Sequence, residues 1–267
     1  MTDTPRPAVT FDLWHTLIYL SPEDEEAYMN GQSAIAVESL KEAAIAPGVP
    51  VAPVAELVER FGREYRAAVA AAESGRAVSP AEQYRLAAHS SGRDPDPSRY
   101  LARLGDLAGG LPFRRAPGAL EALRDLRGSG FDVAVISNTV GEPGACLRPA
   151  LRRLGFEESV EEFVFSDEHP WAKPSPEIFR FALDLLGARA SESIHVGDGW
   201  ADIEGARRAG YRAGIRYVGL PNYGTQYAVL FAPPVGRPMP RGWEIDRLDD
   251  VPALVERIRR GEAPPAP

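Results

Sequence analysis

The sequence predicts an α/β protein, a doubly wound parallel sheet with a helical domain inserted after its first strand. Three observations predict it. Short apolar runs recur along the chain, helical patterns separate most of them, and residues 19–113 carry helical pattern with no strand signal. Strands that alternate with helices imply parallel pairing, because a parallel connection needs a long crossover.

The elements follow in order. "AVTFDLW", "FDVAVISN", "SIHVGDG" and "AGIRYVGL" are short, rich in Val, Ile and Phe, and bounded by Gly, Asp or Asn, as strands buried on both faces are. "EEFVFSDE" is a weaker fifth strand, and "WEIDRLDDVPALVERIRR" is expected to close the fold with a last strand and helix. Between them, "APGALEALRDLRGSG", "SPEIFRFALDLLGA" and "ADIEGARRAG" read as helices. In the first of these, Leu120, Leu123 and Leu126 recur at helical spacing, and Gly128 and Gly130 suit its end. The insert is rich in Ala, Glu and Arg, as in "VAELVERFGREYRAAVAAAESG", with loops at "APGVPVAP" and "SGRDPDPS". The chain therefore divides into an α/β core of residues 1–18 and 114–267 and a helical domain of residues 19–113. After Leu220, "PNYGTQYAVLFAPPVGRPMPRG" reads as a long ordered loop, and "GEAPPAP" as a fraying end.

At 267 residues the chain suits one core with a sizeable insertion. Its 44% hydrophobic content is that of a globular protein and excludes a disordered one. A net charge of −8, a pI near 5.2 and the lack of a long basic run argue against a nucleic-acid partner. The single cysteine, Cys146, allows neither an internal disulfide nor a cysteine-based metal site, which fits a reducing compartment. No apolar run approaches the roughly 20 residues that span a bilayer, and "MTDTPRP" lacks the features of a signal peptide. The expectation is a cytoplasmic monomer or homodimer with no membrane or nucleic-acid partner.

Ligands of an open parallel sheet bind beyond the carboxyl ends of its strands, and there the polar residues gather. Strand one ends at Asp12, the second at Ser137-Asn138, "HVGDGWAD" adds Asp198 and Asp202, and Lys173 stands in "WAKPSPEIF" before a helix. Three carboxylates without cysteine or histidine partners favour a hard cation with oxygen ligands, Mg²⁺ above all. Lys173 and Ser137 beside it would complete a phosphate cradle. Asp12 would attack phosphorus and form an aspartyl-phosphate, with the cation and Lys173 offsetting the repulsion between two anions.

These residues, in this order, resemble the haloacid dehalogenase superfamily over about residues 8 to 260. "DLWHT" matches its Asp-x-Asp-x-Thr motif at Asp12 and Thr16, "VISNT" supplies Ser137, "KPSPEIF" supplies Lys173, and "GDGWADIEGA" supplies Asp198 and Asp202. The resemblance implies a Rossmann-like core with a helical cap, and Asp12 as nucleophile. It further implies Mg²⁺ held by Asp12, Asp198, Asp202 and the Trp14 backbone carbonyl, with Ser137 and Lys173 on the phosphoryl oxygens. Asn138 and Trp14, beside them, are expected to face the substrate, a small phosphorylated metabolite.

Motif one departs from the family. The second Asp, its general acid and base, is here Trp14, whose indole exchanges no proton near neutral pH. General acid–base catalysis supplies about 10²–10⁴-fold. His15, in place of the usual Gly, is a candidate substitute with an ordinary pKa of about 6.5, although adjacent strand residues point to opposite faces. Three readings stay open. The first is a Mg²⁺-dependent phosphohydrolase whose leaving group needs little protonation or whose acid is replaced. The second is a metal-independent 2-haloacid dehalogenase, favoured by the aromatic residue at position 14 and opposed by Asp198. The third is a catalytically silenced member that binds a ligand or partner.

Each residue also has a plainer role open to it. Asp12 alone would read as a cap, Ser137-Asn138 as the start of a loop, and Lys173 as a solvated loop lysine with Ser175 capping the next helix. Asp202 suits the first turn of a helix in any case, and His195 suits a satisfied core position. Trp14, with Trp171 and Trp200, would wall a pocket from water. Arg63, Tyr65, Arg66 and Arg76 of the insert could contact an anionic substrate, but they fit a solvated helix surface better, since Glu64 and Glu73 interleave with them.

Overall fold

The computed structural model describes residues 6–45, 47–48, 50, 52–94, 96–220 and 238–264. In chain order the strands are β1 (Ala8–Phe11), β2 (Ile18–Tyr19), β3 (Arg114–Arg115), β4 (Asp132–Ser137), β5 (Glu162–Phe165), β6 (Ile194–Gly197), β7 (Ala213–Tyr217) and β8 (Trp243–Ile245). Six of them form one sheet in the order β5-β4-β1-β6-β7-β8, every pair parallel. The chain builds outward from β1 to β5, then returns and builds the other way from β6. That reversal beside β1 is the switch point where doubly wound sheets open a crevice. Register fixes what lies there: Phe11 pairs with Val135 on one side and Val196 on the other, so Asp12, Ser137 and Asp198 end their strands together.

Both faces of the sheet are covered. Helices α1 (Pro22–Glu42), α2 (Val54–Glu73), α3 (Pro80–Ser90) and α4 (Ser98–Gly110) form the insert, and α5 (Ala119–Gly128), α6 (Gly144–Arg153), α7 (Pro176–Leu186), α8 (Trp200–Ala209) and α9 (Val251–Arg259) belong to the sheet. Val9, Phe11, Val133, Val135 and Val196 point to the α5, α6 and α9 side, with Leu123, Leu151 and Val255. Ala8, Ile136 and Val164 point to α7 and α8, with Phe179 and Ala206. The alternation follows the two-residue period of a strand.

Helix α5 ends where its sequence requires. Leu120, Leu123 and Leu126 are buried on one stripe of α5, and Gly130 (φ 86) takes the left-handed conformation just beyond its end. Helix α6 has no counterpart in the sequence reading. Gly141, Pro143 and Gly144 punctuate its approach and Pro149 lies inside it, so the pattern reads as turn, while burial of Leu147, Ala150 and Leu151 offsets the lost backbone donor. The weak fifth strand is real and lies at the sheet edge as β5. Of the long loop expected after Leu220, residues 221–237 lie outside the described residues, as do 265–267 of the terminal segment.

Helices α1–α4 have a core of their own, in which Leu40, Leu57, Phe61 and Leu104 surround Tyr84 stacked on Tyr100 at 4.8 Å. Ser21 caps α1 by accepting from the Asp24 N–H at 3.2 Å, and Ser79 caps α3 by accepting from Glu82 at the same distance. The sequence reading contains no β2 or β3, two-residue strands too short to show a pattern. They pair antiparallel, Ile18 with Arg115 and Tyr19 with Arg114, at the neck through which the insert leaves and rejoins the sheet. No described helix is long and apolar enough to cross a membrane.

Candidate active site

The carboxyl end of β1 sets the site. The Asp12 N–H donates to Val196 O at 2.8 Å, tying it to β6, and the chain then turns sharply, with Leu17 and Ile18 both donating to Leu13 O. His15 occupies the left-handed region at φ 57, which accounts for the glycine usual there. The turn brings Thr16 Oγ1 to Asp12 Oδ2 at 3.2 Å. Opposite, Lys173 Nζ lies between two acids, donating to Asp12 Oδ1 and, at 2.7 Å, to Asp202 Oδ1. Asn138 holds the lysine backbone at both poles: its amide nitrogen donates to Lys173 O at 2.9 Å, and Lys173 N donates to its oxygen at 2.8 Å. Ser137, 1% exposed at the end of β4, has no hydrogen-bond partner for its hydroxyl among the described residues.

Asp202 takes the helix-capping role and also meets the lysine. Oδ2 accepts the Gly199 N–H at 2.9 Å, closing the first turn of α8, while Oδ1 meets Lys173. Its approach requires Gly197, since a methyl group there would sit 2.4 Å from Asp202 Cγ. His195 is a satisfied core histidine, and what satisfies it belongs to the site: Nε2 is 3.2 Å from Asp202 Oδ1 and Nδ1 is 2.8 Å from Thr10 Oγ1. Burial lowers its pKa, keeping the ring neutral. A neutral ring assigns the proton to Nε2, facing the carboxylate, with the Thr10 hydroxyl donating to Nδ1.

Asp12, Asp198 and Asp202 bring carboxylate oxygens within 4.8 Å of one another. Burial raises the pKa of Asp198, and the charges of Asp12 and Asp202 raise it further. Asp12 is likewise raised by burial, against the pull of Lys173. Burial would raise Asp202 as well, but Lys173 and His195 outweigh it and hold that carboxyl below its usual range. One ammonium thus faces three carboxylates, and the excess negative charge is what a cation with oxygen ligands would neutralise.

The cleft over Asp12, about 720 Å³ counted to its mouth, is lined by Trp14, Ser137, Lys173, Asp198 and Trp200, with Val69 and Ala72 of α2 across from them. Trp14 is 5% exposed, packs edge-on to Phe113 at 5.5 Å, and donates its indole N–H to Glu142 Oε1 at 3.1 Å. His15 lies outside this lining. It turns to Glu25 of α1, with Nε2 3.5 Å from Oε1. Burial would lower the pKa of His15, but Glu25, Asp198 and Asp12 together raise it. Trp171 also lies apart, stacked with His169. In the insert, Arg63, Arg66 and Arg76 are exposed, whereas Tyr65 faces a second cleft behind Trp14.

Three residues of this neighbourhood, Thr10, His195 and Glu142, carry no site role in the sequence reading. Thr10 and His195 stand opposite each other in adjacent strands, and a polar pair in two otherwise apolar runs is the signal that points to them. Glu142 carries no such signal, since a Glu between Gly and Pro reads as loop, yet it is 7% exposed.

A parallel sheet with acids and a lysine converging at its reversal point defines an α/β enzyme site at the switch crevice. The chain belongs to the haloacid dehalogenase-like hydrolase family, whose pattern matches residues 7–210. It is 30% identical to a phosphoglycolate phosphatase of Rhodospirillum rubrum over 93% of this chain and 98% of that one. Two further relatives align in part. A pyrophosphatase PpaX of Halalkalibacterium halodurans is 32% identical over 43% of this chain and 52% of its own, and the (S)-2-haloacid dehalogenase 1 of a Pseudomonas species is 31% identical over 53% and 56%. The chain thus spans about half the length of those relatives. Among solved structures, a 2-haloacid dehalogenase of Pseudomonas syringae superposes with a TM-score of 0.60 at 24% identity, over 94% of this chain and 99% of that one, a likeness of fold.

Proposed function

We propose that this chain is a Mg²⁺-dependent phosphohydrolase of a small phosphorylated metabolite, acting through an aspartyl-phosphate on Asp12. The observation that carries the reading is the cluster of Asp12, Asp198 and Asp202, with oxygens within 4.8 Å, beside the Lys173 ammonium. The donor set fits Mg²⁺, which those acids would hold with the Trp14 carbonyl; once bound, it would reduce the repulsion between anionic nucleophile and anionic phosphoryl group. Asp12 attacks phosphorus as the bond to the leaving oxygen breaks, and water then cleaves the acyl phosphate to regenerate Asp12 and free phosphate. Thr16 orients the nucleophile. Lys173 and Ser137 take the phosphoryl oxygens, Asn138 holds Lys173 in place beside the substrate, and His195 supports Asp202. Helices α1–α4 act as a cap that excludes water. Likeness to phosphoglycolate phosphatase over nearly the whole of both chains supports a small phosphorylated substrate, and the single cysteine a cytoplasmic setting.

With the Trp14 N–H engaged by Glu142 and His15 turned to Glu25, the reading favours leaving groups that need little protonation, acyl or enol phosphates. A metal-independent dehalogenase is the second reading, favoured by the aromatic Trp14 and opposed by Asp198 in the acidic cluster. Phosphate release from acetyl phosphate and an alkyl phosphate, and chloride release from 2-chloropropionate, each with Mg²⁺ and with EDTA, decide between them. Mg²⁺-dependent phosphate release is expected, faster from acetyl phosphate by about 10²-fold or more. Metal-independent chloride release alone would replace this reading with the second. Absence of both would leave a ligand-binding role.

The metal is also expected to show in stability. A folded-state pKa raised above the unfolded value means stability that is present below about pH 4 and lost as pH rises through the folded pKa, and Asp12 and Asp198 both behave so. Binding needs these groups ionised, so the rise in Tm with Mg²⁺ should be larger near pH 8 than near pH 5.5. A Mg²⁺ shift independent of pH, in thermal melts with and without EDTA, would count against these ligands.

A further inference from the structure

Behind Trp14 lies a second cleft, and Trp14 and Asn138 line both it and the cleft over Asp12. Tyr28, Tyr65, Gln32 and Glu142 form much of its wall. It leads on in turn: Met29, Gln32, Tyr65 and Gly141 are shared with a wide groove between α1 and α2 that opens at the surface beside Val58. The three clefts thus adjoin in series from the surface to the nucleophile, and Trp14 forms part of the wall between the inner two. Glu142 holds it there. One carboxylate oxygen accepts the indole N–H at 3.1 Å, and the other accepts from Gln32 Nε2 of α1 at 3.0 Å. Gln32 is seated closely, since a methyl group at Gly141 would lie 2.7 Å from its side-chain oxygen. Placing a carboxylate in a buried spot costs free energy unless it is hydrogen-bonded, and here both oxygens are used to join the turn after β1 to the insert.

We propose that Glu142 is a specificity-determining residue: by pinning Trp14 against the Gln32 amide, it closes the path between the phosphoryl chamber and the α1–α2 groove, so that a compact leaving group alone fits beside Asp12. The inference rests on the phosphohydrolase reading for its ligand class, and on the bonds of Glu142 for its mechanism. It takes the leaving-group side of the site to be set by a fixed partition, with Glu142 touching no reacting atom.

The test measures binding of methylphosphonate and of 4-phenylbutylphosphonate to the full-length protein with Mg²⁺, by calorimetry. Wild type should prefer the short ligand. Glu142→Ala should bind the long one about tenfold more tightly or better, a change the size of roughly one methylene's worth of pocket, with the short one nearly unaffected. Glu142→Gln should stay like wild type, because its amide oxygen still accepts the indole N–H and Gln32 can turn its own amide. Gly141→Ala, which displaces Gln32, should shift preference the same way as Glu142→Ala. An unchanged preference in Glu142→Ala, or equal loss of both ligands there and in Glu142→Gln, would overturn the proposal. If neither phosphonate binds wild type, the phosphoryl reading of the site fails, and the partition is judged by the Trp14 indole N–H resonance, assigned with Trp14→Phe. Its displacement in Glu142→Ala and retention in Glu142→Gln support the pin, and an unmoved resonance refutes it.

Discussion

Asp12→Asn is expected to lower Mg²⁺-dependent phosphate release by about 10⁴-fold or more, the scale of losing a covalent nucleophile, with no loss of fold in metal-free protein. The amide keeps the shape that Thr16 and Lys173 contact, so kcat should fall and Tm should not. Without metal, Tm near neutral pH is expected to hold or rise. Burial disfavours the ionised form of Asp12, and Asp202 adds to it, so an uncharged group removes a penalty that grows above about pH 4. Asp198 gains too, because the Asp12 charge is one cause of its raised pKa. Beryllofluoride with Mg²⁺ should form an adduct at Asp12 in wild type and none in Asp12→Asn. Undiminished phosphate release by the variant would remove Asp12 as nucleophile.

Lys173→Met is expected to destabilise metal-free protein by about 3–5 kcal/mol near neutral pH, the cost of removing one partner from a buried ion pair. Lys173 is 4% exposed and is bonded to both Asp12 and Asp202, and no second lysine or arginine is bonded to them among the described residues. Asp202, held low by Lys173, contributes stability present above the unfolded pKa and lost as pH falls through the folded one. Without the ammonium that contribution goes, and all three carboxyls resist ionisation. The deficit should therefore shrink as pH falls into the carboxylate range, where protonation removes the unpaired charges. Denaturant melts at pH 7.5 and about pH 4.5 read this directly. A deficit equal at both would mean that Lys173 acts by packing alone. Mg²⁺ should restore part of the loss near neutral pH by supplying positive charge to the same acids.

How far the chain could be read from its residues differs between fold and site. The inner strands of the sheet each carry a short apolar run, because a strand covered on both faces is mostly apolar, whereas β8 at the edge reads Trp-Glu-Ile with Glu244 exposed. Helix α6 escaped because Gly141, Pro143, Gly144 and Pro149 carry the signature of turns, and only packing of Leu147 and Leu151 against the sheet overrides it. The strands β2 and β3 escaped because two residues form no period. In the site, Asp12, Ser137, Lys173, Asp198 and Asp202 were named because each stands in a short motif at a strand or helix end, and all line one cleft. Asn138 lines it as well, although its amide is bonded to the Lys173 backbone. His15 adjoins these residues in sequence but turns toward Glu25.

What the sequence by itself determined is the class of chemistry: a row of strand-end acids with one lysine and one serine, held by local patterns of two, three or four residues. Such patterns depend on backbone periodicity and are therefore visible along the chain. Only the tertiary structure decided the surroundings of those groups. It set Asp202 between Lys173 and His195, joined His195 to Thr10, and gave the Trp14 N–H to Glu142, a residue 128 positions away. The physical reason is that hydrogen bonds and charge interactions act over a few ångströms of space, whatever the separation along the chain.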